Sequence, residues 1–128
     1  MLDHIVRIIA GLFSLLLLVM ALQWLTDPAA AAEGLGMELL EGLGLSTQIG
    51  DLASFFFVGG AFGLVGVIKR NAVLMLTPAA LVITTALFRT IAWTAHGADF
   101  ATDMIAGEVV MFVSFMAAYW RFSKQTAA

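Results

Sequence analysis

The chain of 128 residues contains no cysteine. That excludes a disulfide scaffold, a thiolate zinc site, an iron–sulfur cluster and a cysteine nucleophile. Two prolines, no block of like charge and no Gly/Ser tract exclude a disordered tail or an array of linkers. Charge is scarce, at 12% of residues against about a quarter in an average soluble domain. Basic residues are scarcer than acidic ones, and the net charge of −3 leaves no footprint for nucleic acid, which wants clustered Lys and Arg. What is abundant is apolar surface: 62% of residues are hydrophobic and mean hydropathy is +1.01. A chain this short makes one domain, and this composition makes it an integral membrane protein.

A hydrocarbon core of about 30 Å needs roughly 20 mostly apolar helical residues to cross it. Four stretches meet that length, at about 5–26, 49–68, 72–95 and 102–120. Backbone groups in lipid must be satisfied internally, so each is read as a helix. Lys69, Arg70 and Asn71 alone join the second and third spans, and His96 to Ala101 join the third and fourth, so both connections are tight hairpins. The expected fold is an all-α antiparallel bundle of four transmembrane helices with one longer outer loop.

The charges sort by side. Arg7, Lys69, Arg70, Arg121 and Lys124 fall at one set of span ends, with Asp3 the one acid among them. The opposite loops hold Asp27, Glu33, Glu38, Glu41, Asp99 and Asp103 and no Lys or Arg. By the positive-inside rule both termini are cytoplasmic and the first loop is outside. The first span has a basic start and is followed by Ala30, Ala31 and Ala32, as a cleaved leader would be. Its apolar run, however, is longer than the roughly 7–15 residues of a secretory signal, so it reads as a membrane span.

The outer loop from Asp27 to Gln48 opens on Asp27-Pro28, which stops the first helix because the residue before proline is pushed out of the α region. Ala29 to Ala32 permit a helix, and beyond them Met37, Leu39, Leu40, Leu43 and Leu45 are interleaved with Glu38 and Glu41. This reads as a short amphipathic piece on the outer membrane face, or as a lid or docking loop. Trp24, Trp93, Tyr119 and Trp120 lie near span ends, as an interfacial belt would place them. Phe55, Phe56 and Phe57 cover more than half a turn; some face lipid or other helices, and a pigment or quinone pocket is the functional alternative.

Helices in lipid associate by close packing and polar contacts, because lipid tails are as apolar as leucine. The second span offers Gly59, Gly60, Gly63 and Gly66, and the first offers Ala10 and Ser14 four residues apart. These glycines pack helices within one chain or form a homo-oligomer interface. Pro78 kinks or loosens the third span, where Thr77 can rebond the freed carbonyl.

Three ionisable groups fall inside the spans: Asp51, Arg89 and Glu108. Each costs about 2.5–3.5 kcal/mol at a helix centre, so partners or water are expected. Arg89 lies six residues short of Ala95 and Glu108 five beyond Asp103, which places both about 7–9 Å from the outer ends of adjacent spans. Thr85, Arg89 and His96 share one side of the third helix, and Gln48 stands three residues before Asp51. The expected arrangement is an Arg89–Glu108 pair facing the bundle interior, with Asp51, Gln48, His96 and Thr85 around a wet outer vestibule. The plain alternative is an ion pair that only sets helix register.

Catalytic chemistry finds little to stand on. His4 and His96 lie at opposite ends, so they cannot ligate one haem, and there is no Glu-x-x-His pair, phosphate loop or HExxH. No cofactor and no metal are expected. The two function classes are a scaffold or accessory subunit docked to a larger membrane complex, and a small proton-coupled transporter using Glu108 and Arg89. Minimal four-helix multidrug transporters have a similar size but keep their essential Glu in the first helix, where this chain has none.

A first span closed by Pro28, a glycine-rich second span (VGGAFGLVG), an embedded Arg in the third (ALFRTIAW) and an embedded Glu in the fourth (IAGEVVMF) resemble the DoxX-like group of small bacterial four-helix membrane proteins. The resemblance runs from about residue 5 to 119 on scattered single residues. It departs at the start of the second span, where that pattern often carries Arg and this chain has Gln48, Gly50 and Asp51. It implies a bacterial inner membrane. Some members of the group are linked to quinol oxidation, for which this chain supplies no ligand set.

Overall fold

The buried positions of the first helix are Ala10, Ser14, Leu17, Ala21 and Trp24. Spacings of four and three residues put them on one stripe, while Ile5, Ile8, Leu12, Leu15, Val19 and Leu22 stay exposed on the others. The same stripe recurs in the third long helix at Met75, Pro78, Val82 and Ala86, and in the last at Glu108, Phe115, Ala118 and Phe122. In a computed structural model that describes residues 1–127, each stripe faces the other helices and each apolar remainder faces outward.

The described residues form five helices: α1 (Leu2–Thr26), α2 (Pro28–Gly34), α3 (Gly42–Lys69), α4 (Ala72–His96) and α5 (Thr102–Ala127). Four of them, α1, α3, α4 and α5, are long and apolar enough to cross a membrane. The chain is a multi-pass membrane protein of all-helical fold. α1 packs on α3, α3 on α4, α4 on α5, and α5 returns to α1, which closes the ring around the buried stripes.

Every long helix runs past the hydrophobic limits read from the sequence. α1 starts at Leu2 rather than at residue 5, α5 continues to Ala127, and α3 starts at Gly42 rather than at 49. Apolarity stops at the edge of the lipid, but helical hydrogen bonding does not. The outer loop is therefore shorter than the sequence implies: α2, then residues 35 to 41. Asp27 closes α1 and opens α2, its carboxylate accepting from the Ala30 amide at 3.2 Å with Pro28 at the first helical position. Ala31 and Ala32 are buried against α1. At the far end of α4, Gly97 takes a left-handed φ of 70°, which ends the helix.

The glycines of α3 lie where backbones touch. A Cβ on Gly60 would stand 2.8 Å from the Leu18 nitrogen and 2.8 Å from the Ser14 carbonyl oxygen. On Gly63 it would collide with the Ser14 hydroxyl, and on Gly66 with the Met75 methyl. Gly59 faces Leu81 and Leu17. All four are buried within one chain, between α3 and its neighbours α1 and α4. Pro78 is buried inside an unbroken α4, and Thr77 makes no side-chain hydrogen bond among the described residues, so the expected rebonding by Thr77 does not occur. Trp24 departs from the interfacial belt: at 1% exposed it is a core residue, whereas Trp93, in the last turn of α4, and Trp120 of α5 are exposed.

Candidate intramembrane polar site

On α4 the interior stripe runs through Val82 and Ala86, and continuing it by three carries Arg89 into the bundle. On α5, the stripe through Phe115 and Phe122 passes through Glu108. The two side chains meet: Arg89 Nε donates to Glu108 Oε1 at 2.8 Å. The Arg89 side chain is 30% exposed and the Glu108 side chain 10%. The pair is held through Nε alone. The two Nη groups of Arg89 make no hydrogen bond to protein among the described residues, and Glu108 Oε2 is buried without any partner. A buried acceptor left unmade costs about 1–3 kcal/mol, more when it carries charge, so such an atom calls for an explanation.

The pair borders a cavity of about 370 Å³. Its apolar lining includes Leu17 and Met20 of α1, Phe55 and Phe56 of α3, Val82 of α4, and Met104 and Met111 of α5. Thr85, Arg89, Asp103 and Glu108 are the lining residues with polar side chains. The Thr85 hydroxyl donates to the Leu81 carbonyl at 2.7 Å, which leaves its oxygen free to accept. Phe55 and Phe56 pack edge to face, with centroids 5.2 Å apart. The cavity thus combines a plastic wall of thioethers and aromatic rings with one charged pair at its edge.

Of the six polar residues expected around a vestibule, Arg89, Glu108 and Thr85 share this cavity. The other three do other things. Gln48 is buried but faces away from the cavity, since its amide nitrogen donates to the Glu38 carbonyl and its oxygen accepts from the Leu40 amide, both at 2.9 Å. It clamps residues 38 to 40 onto α3, which explains why the helix begins before it. Asp51 is exposed, and its backbone carbonyl accepts from Ser54. His96 is exposed in the last turn of α4, beyond the cavity. The helix face that carries Thr85 and Arg89 runs on past the cavity to His96, which is exposed.

Met20, Asp103, Met104 and Met111 are cavity residues that spacing alone does not select, whereas Phe55 and Phe56 belong to the aromatic run for which a pocket is the functional alternative. The stripe carries a signal for Phe56 too, which is buried three positions before Gly59. Among the described residues no three His, Asp or Glu side chains come together as a metal site. At the other end of the molecule, Arg7 Nε donates to the Val67 carbonyl at 3.1 Å, and Arg121 lies 3.4 Å from Asp3. The start of α1 and the ends of α3 and α5 therefore share the basic end. Compared with protein-family models, curated proteins and solved structures, the chain matches none.

Proposed function

We propose that this protein is a small carrier of the bacterial inner membrane that admits an amphipathic small molecule to the Arg89–Glu108 cavity and exchanges it there for a proton. The observation that carries this reading is the buried, unpartnered Glu108 Oε2 beside an apolar cavity large enough for a ligand. Arg89 is the cationic group facing that carboxylate, from α4; Asp103 shares its helix, and α1 and α3 contribute only apolar side chains to the lining. The arrangement supports an antiparallel bundle with both termini in the cytoplasm. Arg7, Lys69, Arg70, Arg121 and Lys124 gather at one end, which the positive-inside rule assigns to the cytoplasm. Resemblance to the DoxX-like group supports the bacterial inner membrane.

A second reading, an accessory subunit of a larger membrane complex, draws on a different feature. Met37, Leu39, Leu40 and Leu43 are exposed together at the acidic end, on the segment that Gln48 holds in place. The glycine track does not add to that reading, because it is occupied within the chain.

Purification from membranes in mild detergent, followed by native mass spectrometry, separates the two. A lone protein carrying a small molecule, whose binding depends on pH and is lost in Glu108→Gln, supports the carrier. A stoichiometric partner protein with no bound small molecule overturns it. The absence of native cysteine makes orientation simple to test: single cysteines at Ser123 and Ala98 should react with an impermeant maleimide from opposite sides of the membrane.

A further inference from the structure

The two charges of the pair compensate each other, and what remains along the lining is Asp103. Acids crowd this end of the molecule, with Asp27, Glu33, Glu38, Glu41 and Asp99 in α2 and the connections and Asp51 in the outer part of α3, and Arg89 is the lone Lys or Arg there. The nearest basic residue along α5 is Arg121, thirteen residues from Glu108, or about 20 Å at the helical rise. At that distance no Lys or Arg of the basic end can reach a ligand in the cavity. A ligand approaching the cavity therefore meets a negative surround.

The same geometry sets the hydrogen-bonding requirement. Glu108 and Thr85 both line the cavity, and each carries an oxygen that can accept: Glu108 Oε2, buried and unpartnered, and the Thr85 hydroxyl oxygen. Phe55 and Phe56 present ring faces and edges to an occupant, and Met20, Met104 and Met111 present polarisable sulfur. Taking the cavity to be a ligand site, as proposed above, we infer that its ligand is an aromatic or branched organic ammonium bearing at least one N–H. The ammonium pairs with the Glu108 carboxylate and the apolar body lies against the Phe55–Phe56 wall. A carboxylate or phosphate ligand, which the two free Nη groups of Arg89 would attract, meets the negative charges of Glu108 and Asp103 in the same lining.

Three probes of one shape decide it: 1-naphthylmethylamine, which is a cation at pH 7, 1-naphthalenemethanol, which is neutral, and 1-naphthoate, an anion. Their affinities are measured by saturation-transfer NMR and titration calorimetry on the purified full-length protein in detergent. The amine should bind about tenfold tighter than the alcohol, the difference between a charge-assisted and a neutral hydrogen bond, and the naphthoate weakest. Glu108→Gln should erase the preference for the amine while retaining the alcohol. Asp103→Asn, at an exposed position that does not depend on the pair for folding, should weaken the amine about two- to threefold and leave the alcohol unchanged. Equal binding of amine and alcohol, or tighter binding of naphthoate, overturns the cation assignment while the cavity remains a ligand site. Failure of all three to bind folded protein overturns both the assignment and the ligand site itself.

Discussion

Replacing Gly60 with alanine puts a methyl group 2.7 Å from Leu18 Cγ and 2.8 Å from two backbone atoms of α1, the Leu18 nitrogen and the Ser14 oxygen. A side-chain end can swing away, but a backbone cannot. Carbon contacts are optimal at about 3.5–4.0 Å, so α1 must retreat from α3 by about 0.7 Å or more. A gap of that size forfeits a quarter to a half of each contact's attraction, and a seam with about the 40 contacts of one buried leucine, at roughly 0.15 kcal/mol each, then loses about 1.5–3 kcal/mol. That agrees with the usual cost of overpacking a well-filled core, about 1–3 kcal/mol. Alanine is also the better helix former, so the control is Gly50→Ala, where no atom lies within 4 Å of the new methyl. The difference between the two variants isolates the packing cost. Unfolding by SDS titration in mixed micelles, followed by fluorescence of the tryptophans, of which Trp24 is buried in the same stripe of α1, reads it directly. If Gly60→Ala unfolds at the same SDS fraction as Gly50→Ala, the close approach of α1 and α3 is wrong.

Three further outcomes follow from the same contacts. Arg89→Leu leaves Glu108 without its cation and should destabilise by about 2–3 kcal/mol, less than the 3–5 kcal/mol of a fully buried pair because Arg89 is 30% exposed. The double variant Arg89→Leu with Glu108→Leu should lie closer to the wild type in the same SDS titration; additive losses would show that the pair is uncoupled. Gln48→Ala releases the Glu38 carbonyl and the Leu40 amide, so hydrogen exchange at Leu40 should accelerate while the amides of α1 keep their rates. Arg70 caps α3 with a left-handed φ of 51°, and Arg70→Gly should raise the unfolding midpoint by about 1 kcal/mol, since its long hydrogen bond to Gln125 is exposed.

Class and spans were legible because lipid imposes a one-dimensional rule. A run of about 20 apolar residues and a lack of charge are visible without any partner helix. Arg89 and Glu108 were legible for a related reason. Helical rise sets their depth, two tight hairpins make their helices neighbours, and a lone charge in lipid needs the nearest opposite one. Gln48, Asp51 and His96 were misjudged by that logic, because depth and helix face say nothing of where a bundle ends. His96 keeps the correct face but has no neighbour there, and Gln48 finds backbone partners in residues 38 to 40 before it can reach a side chain across the bundle. Trp24 reads as a membrane-surface anchor by position, yet α2 folds back beside it and the core takes it in.

The sequence alone therefore determined what this chain dissolves in, how many times its helices can cross, which residues are too polar to face lipid, and how basic and acidic groups divide between the ends. Tertiary structure decided what those residues do. The glycine track became the seam of α3 with α1 and α4 rather than a surface for another copy, because Ser14, Leu18 and Met75 occupy the space their missing side chains leave. Glu108 kept one oxygen paired and one free, because Arg89 reaches it through Nε alone. That free oxygen, and the Phe and Met wall that three separate helices bring beside it, exist only once the bundle has closed. A pattern along one chain records each helix's own face, whereas a cavity belongs to the space between faces.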